Sequence, residues 1–342
     1  MKLGLQIGYW GAGPPQGVEE QIAEAERLGY DSVWTAEAWG SDALTPLAWW
    51  GRSTTRMQLG TAIVQLSART PAATAMAAIT MDHLTEGRFI LGLGASGPQV
   101  VEGWYGESYS KPLARTREYV EIIRRILARD ERVSFSGEHY SMPFPGGTGL
   151  GKPLRSIVHP LRDDLPIYLA AEGPKNVALT AEIADGWLAL FFSPRDNAFY
   201  RSALDEGFAR EGARHTPDDF EVACTVPIII HDDTEVAADA YRPMLALYIG
   251  GMGAKDQNFH TEVFSRMGYE AEAKKIQELY LAGRKDEAAA AVPTALVEDV
   301  ALVGSKDKIR DEVARWRETV VTTFLVFGNI PTLRDIAEIV LD

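Results

Sequence analysis

Short apolar runs alternate with longer amphipathic segments along most of this 342-residue chain. Such alternation is typical of βα units that build a parallel sheet. The runs predict eight strands, over residues 3–7, 32–34, 58–64, 89–93, 167–171, 187–191, 222–229 and 323–327. Eight strands with intervening helices favour an α/β fold of the (β/α)8 TIM-barrel type over an open doubly wound sheet.

The segments between the strands show the three- and four-residue spacing of amphipathic helices. Residues 18–28 have this spacing, and Gly29 follows as a helix stop. The pattern predicts further helices over about 111–128 and 309–320, and a closing helix that Thr332 caps.

Two segments break the regular alternation. Residues 132–142 alternate like a strand pair around Ser136 and Gly137, within an insertion over about 131–165. A second insertion is predicted over about 250–295, between the last two strands. We therefore expect one TIM-barrel domain over residues 1–342 with two insertions.

Composition narrows the class of protein. Hydrophobic residues make up 46% of the chain, and the formal net charge is −14. A protein this acidic is not expected to bind nucleic acid, because that binding depends on Lys and Arg. No window approaches the length of a membrane-spanning helix, and no signal peptide is recognisable. The single cysteine, Cys224, lies in an apolar run and indicates a reducing compartment, so we expect a cytoplasmic protein with no membrane partner.

Few catalytic motifs are present. The six histidines show no HxH or HExxH spacing, so no metal site is predicted, and neither a GxSxG elbow nor a GxxxxGK[ST] loop occurs. A pocket with few polar catalytic groups suits a reaction whose difficult step a bound cofactor performs.

Two glycine-bearing turns are candidates for holding such a cofactor. Gly92, Gly94 and Gly97 form GxGxxG after a strand, which alone is a weak dinucleotide signal, and the position argues for a barrel strand. The segment 171–176, AEGPKN, predicts a helix start whose free N–H groups can bind an anion such as phosphate. An ordinary helix start with Pro174 in its first turn is the simpler alternative.

Several long, ordered strings resemble the luciferase-like monooxygenase superfamily, and in particular its branch of oxidoreductases that use the deazaflavin coenzyme F420. They are residues 30–49, 56–106, 166–187, VGSKDKIRDEVARW and VVTTFLVFG. The resemblance spans nearly the whole chain. It implies a TIM barrel, hydride transfer between F420 and a small organic substrate, and a homodimer.

The resemblance also implies functional positions. Glu37 corresponds to an acidic residue near the deazaflavin ring and is the candidate acid/base. The next position, a catalytic histidine in related sugar-phosphate dehydrogenases, is Ala38 here. This departure favours a reductase or a different dehydrogenase.

The remaining implied positions belong to the cofactor and the substrate. A non-proline cis peptide is expected between Ala62 and Ile63, under the cofactor ring. The expected cofactor-binding residues are Ala36, Glu37, Ala62, Ile63, Val64, Ala95, Ser96, Gly97, Pro98, Arg115, Ala171, Glu172, Gly173, Pro174, Gly186 and Phe191. Among these, Glu172 and Gly173 match the phosphate position, and Arg115 is expected at the phosphate or the tail. Tyr9, Trp10 and Trp39 are expected to wall the substrate pocket.

Three alternatives stay open at this point. An FMN-dependent monooxygenase of the same superfamily would use the same phosphate site and the same strand-three bulge at the cis peptide. A non-catalytic flavin or deazaflavin carrier would bind the cofactor without turnover. A dinucleotide-binding Rossmann fold built on GLGASG is the most distant of the three.

Overall fold

The computed structural model describes residues 1–252 and 259–341, except for the side chain of Phe259. Its strands are β1 (Lys2–Gly8), β2 (Ser32–Thr35), β3 (Gln58–Thr61), β4 (Val64–Gln65), β5 (Phe89–Gly94), β6 (Phe135–Ser136), β7 (Ser141–Met142), β8 (Ile167–Ala170), β9 (Gly186–Ala189), β10 (Glu221–Thr225), β11 (Ile228–Ile230), β12 (Leu302–Gly304) and β13 (Thr323–Val326). The main sheet runs β3-β2-β1-β13-β10-β9-β8-β5-β4, and pairing of β3 with β5 closes it. With β3 and β4 as two parts of one strand, the sheet is a closed barrel of eight parallel strands, which confirms the predicted fold.

Helices surround the barrel. They are α1 (Val18–Leu28), α2 (Leu44–Gly51), α3 (Pro71–Leu84), α4 (Pro98–Val101), α5 (Pro112–Ala128), α6 (Pro174–Ile183), α7 (Asn197–Phe208), α8 (Thr234–Asp239), α9 (Arg242–Gly250), α10 (Phe259–Phe264), α11 (Glu270–Leu281), α12 (Lys285–Ala290), α13 (Thr294–Val300), α14 (Lys306–Trp316) and α15 (Ile330–Val340), with a 3-10 turn at Pro194–Asp196 and a π-helical turn at Ser265–Tyr269. Gly29 ends α1 at φ 97°, as predicted. The cap of α15 is Asn329, whose side chain accepts the N–H of Thr332, so the predicted cap was three residues too late. None of the described helices is long and apolar enough to cross a membrane.

Two predicted strands are each divided in the structure. The run 58–64 breaks at a cis peptide between Ala62 and Ile63, which separates β3 from β4. The run 222–229 breaks at Pro227, which has no N–H to donate to the sheet. Beyond it, β11 leaves the barrel and pairs in parallel with β12.

The segment inserted between β10 and β13 is therefore longer than the predicted insertion at 250–295. It contains the β11–β12 pair, and the side chains of its helices form an apolar cluster of their own, which includes Leu245, Ile249, Ile276 and Leu296. We call residues 228–304 the capping segment. Within 131–165 the structure has the short β6–β7 hairpin, in which Phe135 pairs with Met142.

Large rings fill the middle of the barrel interior. Trp34 and Tyr168 lie with ring centroids 5.9 Å apart and are buried. Glycine is needed beside them: a Cβ on Gly60 would lie 2.2 Å from the Trp34 ring, and one on Gly186 would lie 2.7 Å from the Tyr168 ring. This packed layer is the floor of the space above it.

Candidate active site

The carboxyl-terminal end of the barrel is an open well. Interior-facing strand residues there are partly exposed, although the layer below them is buried; they are Gln6, Ala62, Ile63, Ala170 and Thr225. Active sites of TIM barrels lie at this end of the strands. The loops that carry most of the predicted site residues leave the barrel here.

One wall of the well is small and apolar. The cis peptide between Ala62 and Ile63 is present, as the resemblance implied. Gly94 and Ala170 lie beside it: a Cβ on Gly94 would lie 2.5 Å from Ile63 Cδ1 and 3.4 Å from Ala170 Cβ, so the Ile63 side chain packs over Gly94. Val64, which follows the bulge, is fully buried behind this wall. The wall, formed by Ala62, Ile63, Gly94 and Ala170, is a surface on which a flat ring can lie.

Glu37 is buried behind the cis peptide. Its Oε1 accepts hydrogen bonds from Gln65 N at 2.8 Å and Arg69 Nη1 at 3.0 Å. Its Oε2 accepts from Ala43 N at 3.2 Å and from the same Arg69 nitrogen at 3.1 Å. The neighbouring Ala36 is buried too. Both oxygens of Glu37 are therefore engaged by donors, and its predicted acid/base role stays a prediction.

Two nearby residues were not predicted. Arg69 is the counter-ion of Glu37. The pair could not be predicted from the sequence, because the loop after β2 and the residues before α3 come together only in the folded barrel. Gln65 Nε2 donates to the carbonyls of Glu37 and Ala38, at 3.1 and 2.9 Å. Its Oε1 is buried and has no partner in the described structure. An unmet buried acceptor is costly, so it indicates a donor that a ligand supplies.

The GASGP turn borders a crevice beside the well. Ala95 to Pro98 are partly exposed, Ser96 has φ 60°, and Gly97 with Pro98 begins α4. Leu66, Ser67, Ala95, Tyr109 and Arg115 are among the residues that line the crevice. The structure thus brings Arg115 and the turn together, as expected.

Arg115 is held in place by neutral and acidic partners. Its Nε donates to Tyr140 Oη at 2.9 Å, its Nη1 donates to the Ser108 carbonyl at 2.9 Å, and its Nη2 lies 3.5 Å from Glu107. The guanidinium therefore faces the crevice with a fixed orientation.

The segment 171–176 begins a helix, as predicted. Gly173 is the N-cap of α6, Pro174 is its first residue, and Ala171 is buried below. A Cβ on Gly173 would meet nothing within 4 Å, and residues 173–175 are exposed, so this helix start is open. Helix starts of this kind bind phosphate.

Side chains of the capping segment reach this helix start and were not predicted. His260 Nδ1 lies 2.9 Å from a carboxylate oxygen of Glu172, and Arg266 donates to the Glu172 carbonyl at 3.3 Å. The capping segment is thereby fastened to the loop after β8.

Gly186 and Phe191 do not join these residues in the well. Gly186 is the first residue of β9 and lies at the amino-terminal end of the barrel, where it packs under the Tyr168 ring. Phe191 has φ 54°, and its buried ring packs on Tyr248 and Phe264 of the capping segment. The family resemblance implied that both residues lie near the cofactor. Gly186 instead begins its strand at the far end of the barrel, and the side chain of Phe191 packs on the capping segment.

The three aromatic residues predicted for the substrate pocket lie around the rim. Tyr9 and Trp39 are exposed, whereas Trp10 is partly buried against Trp50, with ring centroids 6.0 Å apart. Trp10 Nε1 is a second buried polar atom without a partner in the described structure. Burial and the neighbouring Tyr9 raise the pKa of the Tyr248 hydroxyl, which keeps it protonated.

These features fit a flat cofactor that carries a phosphate arm. The small apolar wall suits a ring, Gln65 Oε1 can accept from a ring N–H, and the start of α6 suits a phosphate. Among the described residues, no group of three or more His, Cys, Asp and Glu side chains could hold a metal ion.

Comparison with known proteins places the chain in a family. Residues 5–323 match the family model described as luciferase-like monooxygenase. The chain is 57% identical over 343 residues, 99% of each protein, to the Mycobacterium tuberculosis protein named "Putative coenzyme F420-dependent oxidoreductase". It is 32% identical over 238 residues, 68% of this chain and 66% of the relative, to the 5,10-methylenetetrahydromethanopterin reductase of Archaeoglobus fulgidus.

A solved structure supports the fold. The coenzyme F420 dependent tetrahydromethanopterin reductase from Methanopyrus kandleri matches with a TM-score of 0.83 at 22% identity, over 99% of this chain and 98% of that one. The protein is therefore an enzyme of the luciferase-like monooxygenase family, within the branch of the F420-dependent oxidoreductases.

Proposed function

We propose that the protein transfers a hydride between coenzyme F420 and a small organic substrate, with reduction of the substrate as the favoured direction. The observation that carries the proposal is that the small apolar wall and the open start of α6 lie at the same end of the barrel. The 57% identical relative named for F420 supports this choice of cofactor. Ala38, in place of the family's catalytic histidine, supports reduction over sugar-phosphate oxidation.

F420, when bound, supplies a carbon that gives or takes a hydride. In the proposal, the backbone at Ala62–Ile63 and the Ile63 side chain, which Gly94 leaves room for, support the ring. The loop Ala95–Pro98 lies along it, and the amides at Gly173 hold the phosphate. Arg115 neutralises anionic groups of the tail, because a guanidinium pairs well with carboxylates and phosphates.

The capping segment limits the access of water. Phe191, Tyr248 and His260 pack against one another over the loop after β8, with ring centroids 4.9 to 5.7 Å apart. A site partly screened from bulk water on this side favours hydride transfer, because the cofactor and substrate stay better positioned and less solvated. Glu37 is the acid/base candidate of the proposal. Because Arg69 contacts both of its oxygens, a variant of Arg69 separates a positioning role of Glu37 from proton transfer.

The test is cofactor binding followed by turnover. The purified protein is titrated separately with F420 and with FMN, and quenching of each fluorophore gives the two affinities. Bound reduced cofactor is then mixed with enones, imines and ketones. We expect tight F420 binding, weak FMN binding and oxidation of the reduced F420 by part of the panel.

Other results identify the alternatives. Tight FMN binding without F420 affinity would replace the proposal with an FMN-dependent monooxygenase. Bound F420 that no substrate reoxidises would indicate a carrier.

A homodimer in the cytoplasm is part of the same proposal. Light scattering coupled to size exclusion measures the mass in solution, and a mass of one 37.5 kDa chain would remove the dimer.

A further inference from the structure

The two sides of the well differ in chemistry. The apolar wall is formed by β3–β4, β5 and β8, whereas the opposite side is formed by β1, β13 and β10. On that side the interior positions nearest the mouth are Gln6, Thr225 and Phe327. Each of these residues lies two positions after a residue that faces the interior; those residues are Gly4, Ala223 and Leu325. Residues two apart on a strand share a face, so the three side chains point into the well.

Pairing confirms this orientation. Gln6 lies beside Trp34 in the register of β1 with β2, and Trp34 fills the barrel interior. Thr225 lies beside Leu325 in the register of β10 with β13. Phe327 is 43% exposed, and a Cβ on Gly8 would lie 3.7 Å from its ring. A partly exposed amide and an aromatic ring thus face the apolar wall across the well.

The amide of Gln6 is oriented but only half used. Thr225 Oγ1 donates to Gln6 Oε1 at 3.2 Å, a bond that crosses above Leu325 and holds the carbonyl end of the amide on the floor. Gln6 Nε2 makes no hydrogen bond to any of the described residues, which are 1–252 and 259–341. Its two N–H groups are therefore donors presented to the well.

Two carboxylates at this end of the barrel already have side-chain partners. Glu37 is paired with Arg69 at 3.0 Å, and Glu172 is in contact with His260 at 2.9 Å. The side formed by Gln6, Thr225 and Phe327 carries no ionisable group. A substrate on this side would meet neutral donors and an aromatic face, which suit a neutral oxygenated molecule better than an anion.

We propose that Gln6, fixed by Thr225, donates a hydrogen bond to the neutral carbonyl or hydroxyl oxygen of the substrate and thereby determines substrate class. This inference rests on the proposed function and adds the substrate side to it. In the reductive direction, reduced F420 gives a hydride to the carbonyl carbon, the C=O π bond breaks, and the oxygen takes a proton from Glu37 or from water. The oxygen gains negative charge during the transfer, so an N–H donor aimed at it stabilises the transition state more than the ground state.

The test compares Gln6→Met, which keeps length and removes both donors, with Thr225→Val, which keeps Gln6 but releases it. Gln58→Met is the matched control, because Gln58 is exposed at the amino-terminal end of β3. Cyclohexanone, 2-cyclohexenone and cyclohexanol are the neutral probes, and cyclohexanecarboxylate is the anionic one. Ligand-observed NMR measures probe binding to the protein with and without F420, and reoxidation of reduced F420 measures turnover.

We expect Gln6→Met to lower kcat/KM for the best ketone about a hundredfold, the usual effect of removing one donor to a developing oxyanion. Thr225→Val should lower it about threefold to tenfold, and F420 affinity and thermal stability should stay within the range of Gln58→Met. Because Thr225→Val leaves the amide present, an intermediate effect also shows that the loss in Gln6→Met is not a folding defect.

Three outcomes would overturn the inference: Gln6→Met with wild-type kcat/KM and probe affinity, tighter binding of the carboxylate than of every neutral probe, or no binding of any neutral probe by the wild-type protein. Failure of the proposed function is separate, since it appears as absent F420 binding before any variant is measured. Probe binding without cofactor then still decides the role of Gln6.

Discussion

The two ends of the barrel use polar residues in opposite ways. At the amino-terminal end, charged side chains pair with one another and with strand backbones. At the carboxyl-terminal end, Gln65 Oε1 and Trp10 Nε1 are buried without partners, and Gln6 presents unused donors. Two non-glycine residues with positive φ, Ser96 and Phe191, also follow strands at this end. Unpartnered buried atoms and positive φ values also occur among the described residues of the amino-terminal end, at Arg124 Nε and at Glu86 and Arg129. The two ends differ instead in their openness and pairing. We call the ion-paired amino-terminal end the stabilising end, and the carboxyl-terminal end, where Gln6, Ala62 and Ala170 are partly exposed, the binding end.

Asp185 shows the stabilising end at its most connected. It precedes β9 and accepts hydrogen bonds from Ile167 N at 2.7 Å, from His215 Nε2 at 2.8 Å and from Arg214 Nε at 3.2 Å, and it also pairs with Arg124. Burial alone would raise the pKa of Asp185, but Arg124 and the hydrogen bonds lower it overall. The carboxylate is thus charged and satisfied, and it has no capacity left for a ligand.

The largest expected effect is at this end. Asp185→Ala leaves Arg124 buried without its counter-ion, which typically costs about 3–5 kcal/mol of unfolding free energy. Urea unfolding measures the loss, and Asp218→Ala, in an exposed position of the neighbouring loop before β10, is the control. We expect F420 affinity per folded molecule to be unchanged. A loss below that of the control, or a selective loss of affinity, would contradict the division between the two ends.

Glu37→Gln tests the equivalent carboxylate at the binding end. We expect turnover to fall at least about tenfold while F420 affinity changes less, because the Glu37 carboxylate holds the backbone at Gln65 and Ala43 and is the acid/base candidate. Arg69→Gln distinguishes the two roles. A similar loss of turnover in both variants assigns Glu37 to positioning, whereas a loss confined to Glu37→Gln supports proton transfer. Full activity of Glu37→Gln would end both roles.

Gly94→Ala tests the apolar wall with a single methyl group. The added Cβ would lie 2.5 Å from Ile63 Cδ1, so the Ile63 side chain would have to move. We expect F420 affinity to fall about tenfold and unfolding free energy to fall by about 1 kcal/mol. Gly11→Ala is the control, because a Cβ there meets nothing within 4 Å. Unchanged affinity would place the ring elsewhere.

The sequence predicted much of the barrel because periodicity is a local property. All eight strands, the start of α6 and the end of α1 follow from residues within a few positions of one another. The cis peptide at Ala62 came from the family resemblance, since no local pattern requires it.

The residues that sequence reasoning missed act across long separations. Arg69 reaches Glu37 over 32 positions, Thr225 reaches Gln6 over 219, and His260 reaches Glu172 over 88. Each is an ordinary polar residue until the closed barrel brings the strand ends together. Gly186, which the family resemblance assigned to the cofactor, begins β9 and so lies at the opposite end of the barrel.

One expected effect depends on pH and probes the stabilising end. His215 lies 2.8 Å from Asp185 and 2.9 Å from Asp219. Burial alone would lower the pKa of His215, but these two carboxylates raise it overall. A raised pKa in the folded state stabilises the protein fully below the unfolded value of about 6.5, and the benefit is lost as pH rises through the folded pKa. We therefore expect His215→Asn to cost about 1.5 kcal/mol near pH 6 and clearly less near pH 9, measured by urea unfolding with His231→Asn as the control. Equal losses at both pH values would mean that His215 stabilises this end by packing on Phe220 and not by its charge.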